Sequence, residues 1–140
     1  MRLVNVYDNL EGSLYFLYTL MAERQWYQNI SHKELPCLDD HIRFVNSIPY
    51  TAWYVIEHED SFVGSIYLTK HDEVGIFIAE GAKGKGIGGE ALKELMCIHP
   101  RKHYLANINP LNINSINFFL AKGFNLLQKT YEYVPGETEE

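Results

Sequence analysis

The sequence has 140 residues, a length typical of a single domain, and its hydrophobic content of 46% is ordinary for a globular protein. The net charge of −6 provides no broad basic face for a phosphate backbone, so we expect no nucleic-acid partner. This acidity suits a cationic substrate, or it serves only solubility. The N-terminus lacks the apolar run of a signal peptide, and no stretch approaches the ~20 apolar residues that cross a bilayer. We therefore predict a soluble, cytoplasmic protein with no membrane partner.

The two cysteines, Cys37 and Cys97, have neither the spacing of metal ligands nor a CxxC arrangement. A buried cysteine behaves as a small apolar residue, and a reducing cytoplasm keeps thiols free. We expect both cysteines to be free and buried, and we expect no metal site.

The first third of the chain predicts one strand and two helices. Alternating apolar residues over 3–7 favour a short strand. Apolar residues at helical spacing then predict a helix over 11–27. A second helix is predicted over 38–46, and Pro49 ends it.

The middle of the chain predicts a meander of three strands. Aromatic and β-branched residues over 53–56 are typical of a strand, and further strands are predicted over 62–69 and 74–78. A glycine-rich segment follows the third strand. It leads into a helix predicted over 88–98, which the sequence His-Pro at 99–100 stops.

The last third predicts a strand over 104–108, a helix over 112–122 and a final strand over 125–133. The predicted order is therefore β-α-α-β-β-β-α-β-α-β, an α/β fold in which helices cover a mixed sheet. We expect one domain over 1–134 and a flexible acidic tail over 135–140.

Five glycines lie close together between the third strand of the meander and the helix that follows. They are Gly81, Gly84, Gly86, Gly88 and Gly89. Glycine permits sharp turns and lets a ligand approach the backbone closely. Backbone N–H groups at a helix N-terminus carry partial positive charge, and Lys83 and Lys85 add full charges beside them. The segment therefore predicts a site for phosphate or pyrophosphate.

Two nucleotide-binding motifs are weighed against this segment. Residues 84–89 formally satisfy G-x-G-x-x-G, but a dinucleotide fold needs an acidic residue about 20 positions later. No Asp or Glu occurs between Glu94 and Glu132, and too few residues remain for a doubly wound sheet. A Walker A loop requires Ser or Thr after the lysine, whereas Gly86 follows Lys85. Both motifs are therefore disfavoured.

Three segments together resemble the GNAT N-acetyltransferase superfamily, and in particular its ribosomal-protein acetyltransferase branch. Residues 83–88 (KGKGIG) resemble the acetyl-CoA signature, and residues 73–78 (EVGIFI) resemble the strand that precedes it. Residues 112–124 (NINSINFFLAKGF) are similar to the segment of the family that ends in Gly-Phe. The resemblance covers nearly the whole chain. It implies the GNAT fold, whose central sheet splays open between the strands that end at Ile78 and Ile108.

The resemblance implies that acetyl-CoA is the cosubstrate and that no metal takes part. Backbone groups of Phe77 and Ile78 would bind the pantetheine arm, and the glycine-rich loop would hold the pyrophosphate. The loop residues concerned are Lys83, Gly84, Lys85, Gly86, Ile87, Gly88 and Gly89. Asn112 and Ser115 match family positions that contact CoA, and we include Phe119 in the same cofactor-binding set.

The catalytic groups are less clear from the resemblance. Phe119 stands where many relatives have a tyrosine that acts as general acid, and phenylalanine cannot donate a proton. Asn107 stands on the strand where some relatives place a catalytic Glu, and it cannot act as a base. We therefore predict Glu73 or His32 as the base. An exposed strand-end carboxylate explains Glu73 equally well, and a surface or capping histidine explains His32 better. Two other candidates for proton transfer are His41 and Tyr67.

The resemblance implies transfer of the acetyl group of acetyl-CoA to a primary amine, by direct attack on the thioester. The acceptor is a protein N-terminus, an amino sugar or a small amine, and the protein is a monomer or a homodimer. Two alternatives stay open. One is a non-catalytic acyl-CoA-binding module, and the other is a nucleotide-binding regulator.

Overall fold

The computed structural model describes residues 1–24, 28 and 35–136 of the chain. Within these residues the elements follow in the order β1 (Arg2–Asn5), α1 (Leu10–Ala22), α2 (Leu38–Asn46), β2 (Ala52–His58), β3 (Ser61–Leu68), β4 (Val74–Ile78), α3 (Ile87–Ile98) and α4 (Ile113–Ala121). Single turns of 3-10 helix lie at Val6–Asp8 and Glu80–Ala82. The predicted strand, paired helices and meander are confirmed in this order.

The strands form an antiparallel sheet in the order β1-β2-β3-β4. The turn between β2 and β3 is built by Glu59 and Asp60, which both have positive φ, at 51° and 64°. Short polar residues at a tight turn were the sequence signal for this hairpin. The turn between β3 and β4 is held by Thr69, whose amide N donates to the carbonyl oxygen of Glu73 at 2.9 Å.

Each face of the sheet has its own apolar core, because successive side chains of a strand point to opposite faces. On β2, Trp53 and Val55 belong to the core that α1 and α2 cover. Ile56, on the opposite face of β2, packs with Ile66 and with Leu92 of α3 in the other core. The helices therefore cover both faces, as the predicted α/β class requires.

Helix α1 is shorter than the predicted helix over 11–27. It ends at Ala22, and the last predicted turn falls partly on residues 25–27, which lie outside the described part of the chain. The carboxylate of Glu23 accepts a hydrogen bond from the amide N of Glu80 at 3.0 Å. The end of α1 is thereby tied to the start of the glycine-rich segment.

The two strands predicted after α3 do not form in the described structure. In place of a strand over 104–108, Leu105 makes an isolated parallel bridge to Glu73. Residues 125–134 are exposed and pair with no strand, with Leu126 at 75% and Tyr131 at 87% of full exposure. A strand exists only where a neighbouring backbone completes its hydrogen bonds, so a favourable residue pattern alone does not create one.

Helix α4 begins at Ile113 and ends at Ala121, close to the predicted bounds, and Gly123 follows it with φ of 96°. This is the left-handed conformation that glycine adopts after a helix. Both cysteines are free, as predicted, but the prediction that they are buried is wrong. Cys37 precedes α2, and Cys97 lies on the solvent side of α3. Neither position faces an apolar core, so both thiols are exposed. Among the helices described, none is long and apolar enough to cross a membrane.

Candidate active site

A cleft of about 370 Å³ opens beside β4, between α1 and α2 on one side and α4 on the other. Residues from α1, α2, β3 and β4 line what we call the α1–α2 half, among them Arg24, His41, Tyr50, Tyr67 and Phe77. Residues after α3 and on α4 line the α4 half, among them Asn107, Ile108, Asn112, Ser115 and Phe119. The cleft thus runs past the edge of the sheet, where the Glu73–Leu105 bridge ends.

The aromatic wall of the α1–α2 half depends on a glycine of β4. The ring of Tyr67 lies across Gly75, and a Cβ atom on Gly75 would come within 2.1 Å of Tyr67 Cζ. Tyr67 stacks on Tyr50 with ring centroids 4.0 Å apart and an interplanar angle of 3°. Tyr50 also meets the edge of Trp53 at 4.8 Å. Gly75 is therefore required for this wall, since any side chain would displace Tyr67.

Burial raises the pKa of both Tyr50 and Tyr67, because it disfavours the phenolate. The positive charge of Arg24 opposes this effect without reversing it. Both hydroxyls therefore keep their protons at neutral pH. The Tyr50 hydroxyl donates a hydrogen bond to that of Tyr67, which leaves the Tyr67 proton for a hydrogen bond into the cleft. The sequence had indicated only Tyr67, as a minor candidate.

The edge of β4 that faces the cleft is open. In an antiparallel ladder, alternate residues bond to the same neighbouring strand. On the β3 side, the amide N of Ala79 donates to the carbonyl oxygen of Val63 at 2.8 Å. On the other side, the amide N of Val74 donates to the carbonyl oxygen of Leu105 at 2.7 Å. Odd-numbered residues of β4 therefore bond towards β3, and even-numbered ones face the cleft.

This alternation refines the predicted pair of backbone ligands, Phe77 and Ile78. The peptide groups of Ile76 and Ile78 face the open edge, whereas those of Phe77 face β3. Phe77 contributes its side chain to the cleft instead. Ile76 was not predicted from the sequence. It is identified because Val74, two residues earlier, bonds to Leu105, so that the even-numbered residues of β4 face the open edge.

The glycine-rich loop leads directly into α3. Gly84 and Gly86 have φ of 80° and 77°, in the left-handed region that favours glycine. Gly86 is the N-cap residue of α3, and no side chain caps the amides of its first turn. Those amides are available to bind an anion, and helix N-termini bind anions well. Ile87 is buried, so its side chain anchors the helix and only its backbone serves the loop.

Three lysines surround this loop. Lys83 pairs with Glu80 at 3.2 Å, and its Nζ atom lies 5.7 Å from the centre of the Phe77 ring. Lys85 is exposed in the loop itself. Lys122, which sequence reasoning missed, places Nζ where a Cβ atom on Gly89 would approach it to 2.8 Å. Lys122 directly follows α4 in the sequence, and it reaches the loop only because α4 packs on α3.

Asn112 and Ser115 are brought together at the start of α4. Asn112 is buried, and its Oδ1 atom accepts a hydrogen bond from the amide N of Ser115 at 3.3 Å. This bond caps α4, a role that suits asparagine. Both residues also line the cleft.

Phe119 is 7% exposed and lies at the base of the cleft. Its ring makes edge contacts with Phe118 at 5.1 Å and with Phe124 at 5.0 Å. Phe119 is therefore an apolar wall of the α4 half and supplies no proton.

Glu73 has two hydrogen-bond donors to its carboxylate. Thr69 Oγ1 donates to Oε1 at 3.0 Å, and Asn107 Nδ2 donates to Oε2 at 2.8 Å. Asn107 lines the cleft, whereas Glu73 is not among its lining residues. The carboxylate therefore holds the turn before β4 and orients Asn107.

His41 is buried in the wall of the α1–α2 half, with 2% of its surface exposed. Its Nε2 atom lies 2.9 Å from the carbonyl oxygen of Leu14. A carbonyl only accepts, so Nε2 carries the proton and Nδ1 is an acceptor, which has no partner in the described residues. Burial lowers the pKa of His41 and keeps the ring neutral. His32, the predicted alternative base, lies outside the described residues.

Comparison with known proteins agrees with this geometry. The family model described as the Acetyltransferase (GNAT) family matches residues 15–124. No curated protein matches the sequence.

Solved structures share the fold at low sequence identity. An acetyltransferase from Thermus thermophilus superposes with a TM-score of 0.68 at 20% identity, covering 91% of this chain and 88% of that one. A ribosomal-protein-alanine N-acetyltransferase from Brucella melitensis gives 0.65 at 22% identity, covering 89% and 85%. The yncA protein from Salmonella typhimurium, solved with its cofactor acetyl-CoA, gives 0.63 at 18%, covering 88% and 77%. The chain belongs to the acetyltransferase (GNAT) family.

Proposed function

We propose that this protein transfers the acetyl group of acetyl-CoA to a primary amine. The observation that carries the proposal is that the uncapped, glycine-rich start of α3 and the open edge of β4 lie side by side. The first suits a pyrophosphate, and the second suits the amide groups of a pantetheine arm. Both lead into a cleft that continues to a second half, where an acceptor has room.

The residues present fit acetyl-CoA. The loop amides of residues 83–89 would hold the pyrophosphate, with the charges of Lys83, Lys85 and Lys122 around it. The peptide groups of Ile76 and Ile78 would pair with the pantetheine amides, as an added strand does. Asn112, Ser115 and Phe119 would line the opposite wall.

Bound acetyl-CoA supplies an acetyl group activated as a thioester. The chain itself must hold the amine in its neutral form and manage two protons. We propose Tyr67 as the proton donor of the cleft, because Phe119 occupies the position of the usual tyrosine and Tyr67 retains its proton. For the base, we propose the neutral His41, whose Nδ1 atom is an acceptor in the cleft wall. His32 stays a proposal, and Glu73 is proposed to act through Asn107.

The proposal is tested by calorimetric titration with CoA and by an assay of thiol release from acetyl-CoA over a panel of primary amines. We expect CoA binding and release of free thiol with some amines. Gly86→Ala should weaken CoA binding about tenfold, because the Cβ atom of alanine disfavours the left-handed conformation that this position requires at the uncapped start of α3. Gly136→Ala is the matched control, since Gly136 also has positive φ but lies in the exposed C-terminal segment.

A second candidate function is a non-catalytic acyl-CoA-binding module. The observation in its favour is that Phe119 and Asn107 stand where proton-transfer groups occur in relatives. Tight CoA binding with no turnover on any amine would support the module. Binding of NAD or ATP in preference to CoA would instead support a nucleotide-binding regulator.

A further inference from the structure

Arg24 follows α1 and places its guanidinium in the wall of the α1–α2 half of the cleft. The guanidinium lies over the ring of Phe77, with Cζ 5.2 Å from the ring centre. Nη2 donates to the carbonyl oxygen of Gln28 at 3.4 Å, which is a long bond. Nε is buried and has no hydrogen-bond partner in the described residues.

Within residues 1–24, 28 and 35–136, no carboxylate forms an ion pair with Arg24. The nearby acidic groups have other partners. Asp40 lines the same cleft but pairs with Arg43, and Glu23 accepts the amide N of Glu80. A largely desolvated guanidinium is costly without a carboxylate partner, and none of the described residues supplies one, so this corner of the cleft is suited to an anion from a ligand.

Two tyrosine hydroxyls lie in the surroundings of Arg24, that of Tyr50 bonded to that of Tyr67. The electrostatic neighbours of the guanidinium are Tyr67 and Tyr50, which oppose the lowering of its pKa by burial. Both hydroxyls are protonated at neutral pH, as argued above. The guanidinium only donates hydrogen bonds, and the Tyr67 hydroxyl beside it can donate one more, so the corner suits a carboxylate or phosphate group.

This corner lies on one face of the sheet, next to the glycine-rich loop. The side chains of Tyr67 and Phe77 lie on the face of the sheet that α1 and α2 cover, whereas α3 covers the opposite face. Arg24 packs on the first face, beside the aromatic wall. Lys83 of the loop also lies beside the Phe77 ring, 5.7 Å from its centre. Since α3 covers the opposite face, the acceptor rather than the pyrophosphate is favoured as the source of an anion at Arg24.

We propose that Arg24 binds an anionic group of the acceptor, so that the substrate is a primary amine that also bears a carboxylate or a phosphate. This inference rests on the proposed function and names its substrate class. Arginine suits the role because its planar fork binds such groups through two parallel hydrogen bonds. The aromatic wall would pack against the carbon skeleton between the amine and the anion.

The test uses matched amines that differ in the anionic group. L-lysine is compared with cadaverine for the carboxylate, and O-phosphoethanolamine with ethanolamine for the phosphate. We expect the anionic member of at least one pair to have the higher kcat/KM, by about 10- to 100-fold, the range of a charge-assisted hydrogen bond. The pair that shows the preference identifies the anion. An equal or reversed preference in both pairs would overturn the proposal.

Arg24→Gln should remove the preference and leave the KM for acetyl-CoA unchanged, whereas Arg24→Lys should retain part of it. Arg2→Gln is the matched control, since Arg2 is an exposed arginine at the other end of the sheet, paired with Glu57. A rise of the KM for acetyl-CoA in Arg24→Gln would assign Arg24 to the cosubstrate and overturn the proposal.

Two further measurements separate this proposal from other outcomes. The melting temperature of Arg24→Gln should not fall, because the variant removes a charge that has no carboxylate partner among the described residues. A fall together with losses for both substrates would show a structural role. Calorimetric titration of the same four amines decides the case if none is turned over. Binding of an anionic amine that Arg24→Gln abolishes supports the proposal even if CoA does not bind, and the absence of such binding refutes it.

Discussion

The glycine-rich loop and the start of α4 are built differently from the α1–α2 half of the cleft. The loop and the start of α4 are each one continuous segment of the chain. The groups that they present are backbone amides and a helix-capping side chain. The α1–α2 half brings together side chains from α1, α2, β3 and β4, which lie far apart in the sequence. This difference agrees with our proposal that the loop and α4 serve the shared cosubstrate, whereas the α1–α2 half serves the acceptor.

Substitution of Gly75 by alanine should have the largest effect and should fall on the α1–α2 half. The new Cβ atom would clash with the ring of Tyr67, so Tyr67 must leave its stack on Tyr50. We expect a loss of stability of about 1–3 kcal/mol. Turnover should fall more than CoA affinity does, as measured by thiol release and calorimetric titration.

Tyr67→Phe is the matched variant, since it keeps the ring and removes only the hydroxyl. It should leave the melting temperature nearly unchanged and lower kcat about 100-fold, the lower range for loss of a general acid. Unchanged turnover in Tyr67→Phe would remove Tyr67 from the proposed proton-transfer scheme.

Glu73→Gln tests how the two halves are joined. The carboxylate orients Asn107 and holds the turn before β4. Its replacement by an amide weakens the charge-assisted bond from Asn107, so we expect kcat to fall about tenfold. The shape of the pH–rate profile should stay unchanged. Asn107→Ala should cause a similar loss, and the double variant should add little to either. Disappearance of the acidic limb of the profile in Glu73→Gln would show that Glu73 is the base.

The smallest effect concerns His41. Burial lowers its pKa below the ordinary value, so the unfolded chain takes up a proton at higher pH than the folded chain does. The stability contributed by the neutral ring is complete above the unfolded pKa of about 6.5 and decreases as the pH falls below it. Denaturant unfolding at pH 7.5 and 5.5 measures this loss.

His41→Gln should reduce that acid sensitivity, because an amide can still donate to the Leu14 carbonyl without titrating. The exposed His71→Gln is the control and should behave as the wild type. His99, whose pKa burial and Arg101 also lower, is present in every variant and contributes equally. An equal loss in His41→Gln would show that His41 does not govern the acid response.

Most of the fold was predictable because its elements carry local signals. The meander followed from aromatic and β-branched residues between polar turns, and α2 was predicted over the residues that form it. The predictions of strands over 104–108 and 125–133 were wrong, because a strand needs hydrogen-bonding neighbours and these would be distant in sequence. The cysteines had no local signal for burial, since the side of a helix that faces solvent depends on what packs against it.

Within the site, the same distinction separates the residues. Gly84 and Gly86 could be assigned from sequence because left-handed backbone and close approach are properties of glycine itself. Asn112 was predicted from its match to the family segment, and the structure adds that its side chain caps α4. Arg24, Tyr50 and Lys122 could not, since nothing around them in the chain distinguishes them from surface or core residues.

The sequence by itself predicted the order of the elements apart from the two strands after α3, the left-handed glycines of the loop and the family to compare with. These depend on backbone conformation and on periodicity, which neighbouring residues control. Only the tertiary structure decided which β4 peptides face the cleft, that Glu73 is held by Thr69 and Asn107, and that Arg24 lacks a described counter-ion beside Tyr50 and Tyr67. Such facts depend on distances between remote segments, which packing alone sets.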